Sequence, residues 1–220
     1  TGGGALTIGS GVTTTLTAGS GGVTIGGATD GAGTSTSTLI VDAAAGTVTF
    51  TGAVGSGLAT KLAVVTIANS GALNFNSTLN ITGALTQTTA ATGTTTFSST
   101  VNVGSATLRG VAYNVNNSFT AASGGAVAVT NSGLFTLSAA GAITAPAGFS
   151  TSGVTTLSNS ISTTNSLINL CTGGGALTIG SGVTTTLTAG SGGVTIGGAT
   201  DGAGTTASTL TVDAAAGTVT

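Results

Sequence analysis

The sequence predicts an all-β protein that forms a parallel β-helix, a solenoid of about 21 residues per coil. Residues 1–49 return as residues 172–220, with 46 of the 49 aligned positions identical. Short alternations of apolar residues with Thr recur along the chain, and corresponding elements return about every 20–22 residues. Together these observations predict stacked coils, with about eight coils in each 171-residue period.

The long repeat defines the expected domain organisation. Residues 1–171 form one full repeat unit of a continuous solenoid, and residues 172–220 form the start of the next, near-identical unit. Stacked units of this kind share one core, so we expect no domain boundary between them.

The candidate strands are three to six residues long, rich in β-branched residues and bounded by Gly, Ser or Asn, which are strand and turn signals. No stretch of ten or more residues has a helical period of about 3.6, so we expect essentially no helix. The candidate strands are 5–8, 12–17, 38–41, 47–50, 62–67, 73–75, 79–82, 94–97, 101–103, 126–129, 134–137, 154–157 and 166–170.

Aromatic residues at a regular spacing predict an inward ladder. Phe75, Phe97 and Phe119 recur at an equal spacing, and aliphatic residues follow Phe75 and Phe97 four and six positions later. Equivalent inward residues of stacked coils should match in size, which favours one Phe ladder beside one aliphatic ladder. The predicted core ladder is Phe50, Val54, Phe75, Leu79, Ile81, Phe97, Val101, Val103 and Phe119.

Two other fold classes compete with the solenoid. A silk-like disordered segment would suit the low charge and high Gly content, but such chains lack regularly spaced Val, Ile, Leu and Phe. An antiparallel sandwich or barrel fits a 171-residue recurrence only as a string of beads, and no Pro-rich linker separates beads in this sequence.

Charge is nearly absent from the chain. Charged residues make up 3% of the sequence, against about 25% in an ordinary globular domain. One period carries Asp30, Asp42, Lys61 and Arg109 and is therefore neutral. A neutral surface gives no attraction to nucleic acid or anionic lipid and little repulsion between neighbouring molecules. No apolar run reaches the ~18 residues of a membrane span, so we expect no membrane insertion.

The residues for catalysis or metal binding are scarce. The sequence has no His and no Glu, and Asp30 and Asp42 are 12 positions apart. We therefore expect no enzyme activity, no catalytic residues, no cofactor and no metal site. The segment GGATDGAG around Asp30 and Asp201 lacks the spacing of calcium-binding coils, so these carboxylates, like Asp42 and Asp213, are interpreted as turn residues. Calcium binding at Asp30 and Asp201 stays open.

Three further features carry single expectations. Cys171 lies in an apolar context and should be buried, with an intermolecular disulfide as the alternative. Arg109 and Tyr113 are close in sequence, which suggests a small exposed contact. Pro146 lacks a backbone donor and should lie in a turn.

Several segments resemble bacterial β-strand-repeat giant surface proteins of the filamentous-haemagglutinin-like and autotransporter-passenger-like kinds. They are TLIVDAAAGTVTFTGAVG at 38–55, ALTIGSG at 5–11 and 176–182, and GALTQTTAATGTTTFSSTVNVG at 83–104. The resemblance implies a right-handed β-helix, secretion, and a role in adhesion or an extracellular matrix.

The expected function is a structural extracellular filament or surface fibre that self-associates into a matrix, sheath or bundle. Its main partner would be itself, end to end and side by side, and other cell-surface or matrix components are further candidates. The alternative is the stalk of a bacterial surface adhesin. A third hypothesis is an ice-binding, Thr-rich solenoid, against which the Thr runs do not recur once per coil at one register.

Overall fold

The computed structural model describes residues 4–55 and 62–220 as a parallel β-solenoid of about nine turns, so the predicted fold class is confirmed. Every strand pair in the described part of the chain is parallel and joins neighbouring coils, with register shifts in two of the pairs. The chain visits three faces in turn, named A, B and C in the order in which it first reaches them. Among the described residues the helical content is one 3₁₀ turn at Gly190–Gly192.

Face A is a ladder of short strands and one isolated bridge. Val54 bridges Thr29 and Leu79 and so continues the ladder between two strands. The strands of face A are β1 (Leu6–Ile8), β4 (Thr29–Gly31), β9 (Leu79–Asn80), β12 (Val101–Val103), β14 (Phe119–Ala121), β17 (Ile143–Thr144), β20 (Ile161–Ser162), β23 (Thr184–Thr188) and β26 (Thr209–Asp213).

Face B contains strands of very different lengths, from the eight residues of Leu62–Asn69 to three strands of three residues each near its end. Its last rung is the bridge between Val194 and Val219. The strands of face B are β2 (Thr13–Thr17), β5 (Ser37–Asp42), β7 (Leu62–Asn69), β10 (Ala84–Gln87), the first half of β13 (Ser105–Val115), β15 (Val127–Asn131), β18 (Phe149–Thr151), β21 (Ile168–Leu170) and β24 (Val194–Ile196).

Face C completes each coil. Strand β13 belongs to both faces, because its first half pairs with β15 and its second half with β16. The strands of face C are β3 (Val23–Ile25), β6 (Val48–Phe50), β8 (Leu73–Phe75), β11 (Ala91–Phe97), the second half of β13, β16 (Phe135–Leu137), β19 (Thr155–Leu157), β22 (Leu177–Ile179) and β25 (Thr200–Gly202).

Coil length varies, and the variation arises at the corners. The shortest coils measured along face A run from Val101 to its partner Phe119 and from Ile143 to its partner Ile161. The longest runs from Ile161 to its partner Leu187. The first of the short coils contains β13, which passes from face B to face C as one continuous strand and so omits a turn.

The core is the column enclosed by the three faces. Residues alternate inward and outward along most strands, as in Phe135–Leu137, where Thr136 lies between two buried neighbours. On face C the rings of Phe50 and Phe75 stack with centroids 4.8 Å apart, and those of Phe75 and Phe97 with centroids 5.4 Å apart. The parallel strand pairing satisfies backbone groups between coils, and the packed side chains exclude water from the column.

The equal spacing of the three Phe residues does not place Phe119 above Phe97. The residue that follows Phe97 on face C is Val115, because β13 shortens this coil. Phe119 lies on face A next to Val101, and its ring meets that of Phe97 edge-on across the core, at 5.3 Å. The nine residues predicted for the core ladder are all buried, but Phe119 belongs to the aliphatic ladder of Val54, Leu79 and Val101.

The ladders run across the boundary between the repeat units. Strands β22, β23 and β24, which follow residue 171, pair with β19, β20 and β21, which precede it. The solenoid is therefore continuous from one unit into the next. The handedness of the coil remains a prediction from the resemblance.

Candidate functional site

The four aspartates divide into two structural types. Asp42 and Asp213 end strands β5 and β26, and their Oδ1 atoms accept the backbone N–H groups of Ala44 at 3.2 Å and Ala215 at 3.3 Å. These two are turn residues, as the sequence predicted. Asp42 Oδ1 also accepts a hydrogen bond from Asn69 Nδ2 in the next coil, at 3.0 Å.

Asp30 and Asp201 are not turn residues, which corrects the interpretation from sequence. Asp30 is the middle residue of β4 on face A, and Asp201 is the middle residue of β25 on face C. Within residues 4–55 and 62–220, no group of three or more His, Cys, Asp or Glu side chains comes together to hold a metal ion. A search of the same residues finds no helix that is long and apolar enough to cross a membrane.

The expected contact between Arg109 and Tyr113 is wrong. Arg109 points outward from β13, whereas Tyr113 is completely buried. Regular alternation would place residues four positions apart on the same side of a strand. In β13 the alternation changes phase at Val111 and Ala112, where the strand passes from face B to face C, so Tyr113 points inward. The hydroxyl of Tyr113 donates to Gln87 Oε1 at 2.8 Å, and Gln87 Nε2 donates to Thr95 Oγ1 at 3.0 Å. Burial raises the pKa of the Tyr113 phenol far above its ordinary value.

A second internal polar cluster surrounds Cys171, which is buried and free, as expected. The backbone N–H of Cys171 donates to Thr151 Oγ1 at 3.1 Å, and the hydroxyls of Thr151 and Thr155 lie 2.8 Å apart. Burial raises the pKa of the Cys171 thiol, partly offset by hydrogen bonds with Thr155. A raised thiol pKa lowers the fraction of reactive thiolate, so this thiol should react slowly with oxidants and electrophiles.

Pro146 lies in a turn, as predicted. Lys61, counted among the charges of the period, lies outside the described residues.

The outer surface carries a feature that the sequence interpretation missed. On face C, the central outward position of successive coils is occupied by a hydroxyl, amide or carboxylate side chain at one register. The rungs of this face C ladder are Thr24, Thr49, Asn74, Thr96, Asn114, Thr136, Thr156, Thr178 and Asp201.

Comparable outward ladders occupy the other two faces. The face B ladder is polar except at Ile40 and Ala128 and comprises Thr15, Ile40, Thr66, Thr86, Thr107, Ala128, Ser150, Asn169 and Thr195. The face A ladder comprises Asn80, Asn102, Thr120, Thr144, Ser162, Thr188 and Asp213.

Thr occupies six of the nine face C rungs and Asn or Asp the other three, so Thr itself does not recur once per coil, as the sequence predicted. What recurs at one register is a polar side chain. A fixed-period search cannot find this ladder, because coil length changes along the chain. The signal that would have found it is the local pattern of strand alternation. A Thr or Asn between two apolar residues, as in Val48–Phe50 and Leu73–Phe75, marks six of the nine outward rungs.

No protein-family model matches the chain, and comparison with curated proteins and with solved structures finds no significant match. The chemistry of the molecule therefore has to be judged from its own geometry. In the described residues the polar side chains include internal hydrogen-bonded clusters and long outward ladders that carry little charge. The outward ladders present hydrogen-bonding groups from coil to coil along the surface.

Proposed function

We propose that the chain is a segment of a structural fibre, built from tandem solenoid repeats and operating outside the cell or at its surface. The observation that carries the proposal is the continuous parallel stack, which crosses from one sequence repeat into the next without a break. Each coil buries the apolar face of its neighbour, so stability grows with length.

Burial of a core residue depends on the coils beside it. Leu187, with a coil on either side, is fully buried, whereas its sequence equivalent Leu16 is only partly buried. A continuous stack of tandem repeats would provide such coverage to every coil between its ends.

The outer surface supports self-association. Charged residues are 3% of the chain, and the outward ladders consist mainly of Thr, Ser and Asn. With little charge to repel a neighbour, hydroxyl and amide groups of adjacent fibres can bond side by side. A matrix, a sheath or a bundle would each follow from this lateral contact, and an extracellular location follows from the resemblance to bacterial surface proteins.

Cryo-electron microscopy of the native material tests this proposal. Long filaments with a layer line near ~4.8 Å and regular side-by-side packing are the expected result. Isolated thin stalks that end in a globular, non-repeating tip would contradict it and favour the adhesin stalk.

The face C ladder favours ice binding as a second candidate. It places one hydroxyl, amide or carboxylate group on each successive coil, at the strand spacing, over nine rungs. Thermal hysteresis of the purified chain is the direct test, with Thr96→Lys and Thr136→Lys as variants that interrupt the ladder. Hysteresis that these variants abolish would support the candidate, and its absence in the unmodified chain would exclude it.

A further inference from the structure

The two copies of the repeated segment lie on different faces of the solenoid. Strand β1 is on face A, but its copy β22 is on face C. Strand β2 is on face B and its copy β23 on face A, while β3 is on face C and its copy β24 on face B. The second coil of each copy follows the same rule, since β4 and β5 lie on faces A and B and their copies β25 and β26 on faces C and A.

The local structure of the copies is nevertheless the same. Leu6 pairs with Thr29 in the first copy, and Leu177 pairs with Thr200 in the second. All five Cα pairs between β2 and β5 recur between β23 and β26 with the same sequence offsets. The whole segment has therefore been turned about the solenoid axis by one face, without a change of internal register.

The number of coils in one repeat explains the turn. Along face A, seven coil steps lead from Leu6 through Thr29, Val54, Leu79, Val101, Phe119 and Ile143 to Ile161. The chain then passes β21 on face B and reaches Leu177, the equivalent of Leu6, on face C. One 171-residue repeat thus makes seven and two-thirds coils rather than a whole number.

From this geometry we infer that a tandem array of these repeats has a threefold screw, so that it shows the same sequence-defined surface on all three sides and binds copies of itself laterally on all three. This inference rests on the proposed function as a repeating fibre. Three sequence repeats make 23 coils, after which a given residue returns to its original face. At about 4.8 Å per rung the structural period of the fibre is about 110 Å.

The consequence for interaction is a choice between two kinds of assembly. If a repeat were a whole number of coils, each surface feature would occupy one face, and fibres would join through that face into pairs or ribbons. With one face of rotation per repeat, Thr7 on face A is followed by its copy Thr178 on face C. Each fibre then presents the same surface on all three faces, so it can bind a neighbouring fibre at each of them.

Cross-linking in the 220-residue chain tests the rotation directly. Thr178 lies beside Thr156 on face C. In a repeat of eight whole coils it would instead lie on face A beside Ser162. In-register neighbours of parallel strands are about 4.8 Å apart, within the Cα range of a disulfide. The variant Thr156→Cys/Thr178→Cys should therefore form an intramolecular disulfide under mild oxidation, and Ser162→Cys/Thr178→Cys should not.

The two variants are matched controls, because they share the Thr178→Cys change and replace outward hydroxyl residues. Circular dichroism of the reduced proteins checks that both fold, and mass spectrometry of oxidised peptides identifies the bond. The native Cys171 stays in place, since it is buried. A disulfide between positions 162 and 178, with none between 156 and 178, would overturn the inference.

Helical reconstruction of native filaments tests the three-sided association. The expected result is a period of about 23 rungs and neighbours on three sides of each fibre. Flat ribbons, or a period of eight rungs, would overturn the lateral part of the inference. An absence of filaments would contradict the proposed fibre instead, and the cross-linking result would still decide the rotation.

Discussion

Two regions with nearly the same sequence, residues 4–49 and 175–220, differ in what covers them. Strands β22, β23 and β24 lie on the preceding coil, whereas the pairs described for β1, β2 and β3 are all with the coil that follows. Leu187 is fully buried and its equivalent Leu16 only partly. One coil later the order reverses, because Leu39 is fully buried and its equivalent Leu210 only partly.

The reversal teaches that burial is a property of the stack rather than of the segment. The same Leu in the same local register is core or partial surface according to whether a further coil lies on it. In one-dimensional repeat proteins the interfaces between neighbouring units carry much of the stability. The same Leu→Ala substitution should therefore lower the free energy of unfolding by different amounts in the two copies.

The largest difference is expected for Leu187→Ala against Leu16→Ala. Leu187 has rungs on both sides, Ile161 and Val212, so its truncation leaves a cavity and should cost about 2–5 kcal/mol. Leu16 should cost less than half as much, because part of its surface already contacts water. Equilibrium denaturation in urea measures both, and equal costs would contradict the comparison.

The second prediction concerns the next coil, where the first copy rather than the second is the better covered. Leu39→Ala should destabilise the protein more than Leu210→Ala, by about 1–3 kcal/mol, although Leu39 belongs to the copy in which Leu16 should be the less sensitive site. The gap should be smaller than the first, since one of the two rungs beside Leu39 is Thr14 rather than an apolar residue. Thermal unfolding of the two variants, with Leu85→Ala as a mid-stack reference, is the measurement. A larger loss for Leu210→Ala would show that segment identity, not coverage, sets the cost.

The third prediction concerns the middle of the stack, between the two copies of the repeated segment. Tyr113, the single tyrosine of the chain, lies there, and its burial raises its pKa. Its neutral form is favoured in the folded state, so its contribution to stability is complete below about pH 10 and is lost as the pH rises further. Unfolding stability should fall above pH 10 by up to about 1.4 kcal/mol per pH unit.

Tyr113→Phe is the matched control for this effect. The variant loses the hydrogen bond to Gln87 and should be less stable at pH 7 by about 1–3 kcal/mol. It should also lose the alkaline dependence, because the ionising group is gone. If the variant and the unmodified protein decline in parallel above pH 10, Tyr113 is not the cause.

The smallest effect is expected at the corner that precedes β24. Asn165 has a φ of 53°, and its Oδ1 accepts the backbone N–H of Ser191 at 3.2 Å. Asn165→Ala loses this bond and places Ala in the left-handed region, at a cost of about 1–2 kcal/mol. Hydrogen exchange should accelerate at residues 190–192 and stay unchanged at the equivalent residues 19–21. Asn165→Gly keeps the backbone conformation accessible, so it should show only the loss of the hydrogen bond.

Much of the stack was predictable from local pattern. An aliphatic residue four positions after each Phe identified Val54, Leu79 and Val101 as neighbours, and the spacings of Phe50, Phe75 and Phe97 match the true coils there. The pattern failed where coil length changed without a local signal. Strand β13 passes from face B to face C without a turn, and no residue type in Ser105–Val115 predicts this.

The polar features were harder to predict for a similar reason. Gln87 and Tyr113 are 26 positions apart, and nothing in their local sequence shows that they bond inside the core. The face C ladder escaped detection because its rungs lie at unequal intervals. Asp30 and Asp201 lie in a Gly-rich segment that suggests a turn. Each nevertheless forms part of a strand, because it pairs with a strand of the preceding coil.

By itself the sequence determined the class of structure, because alternation of apolar and polar residues with Gly at the ends specifies short strands whatever they pair with. It also determined that two distant segments share one local conformation, since they share one sequence. Only the tertiary structure decided which face each segment occupies and how many coils separate the copies. The face that a segment occupies and the number of coils between the copies depend on the summed lengths of all the intervening coils. Each corner can add or remove a few residues, so no single local pattern fixes that sum.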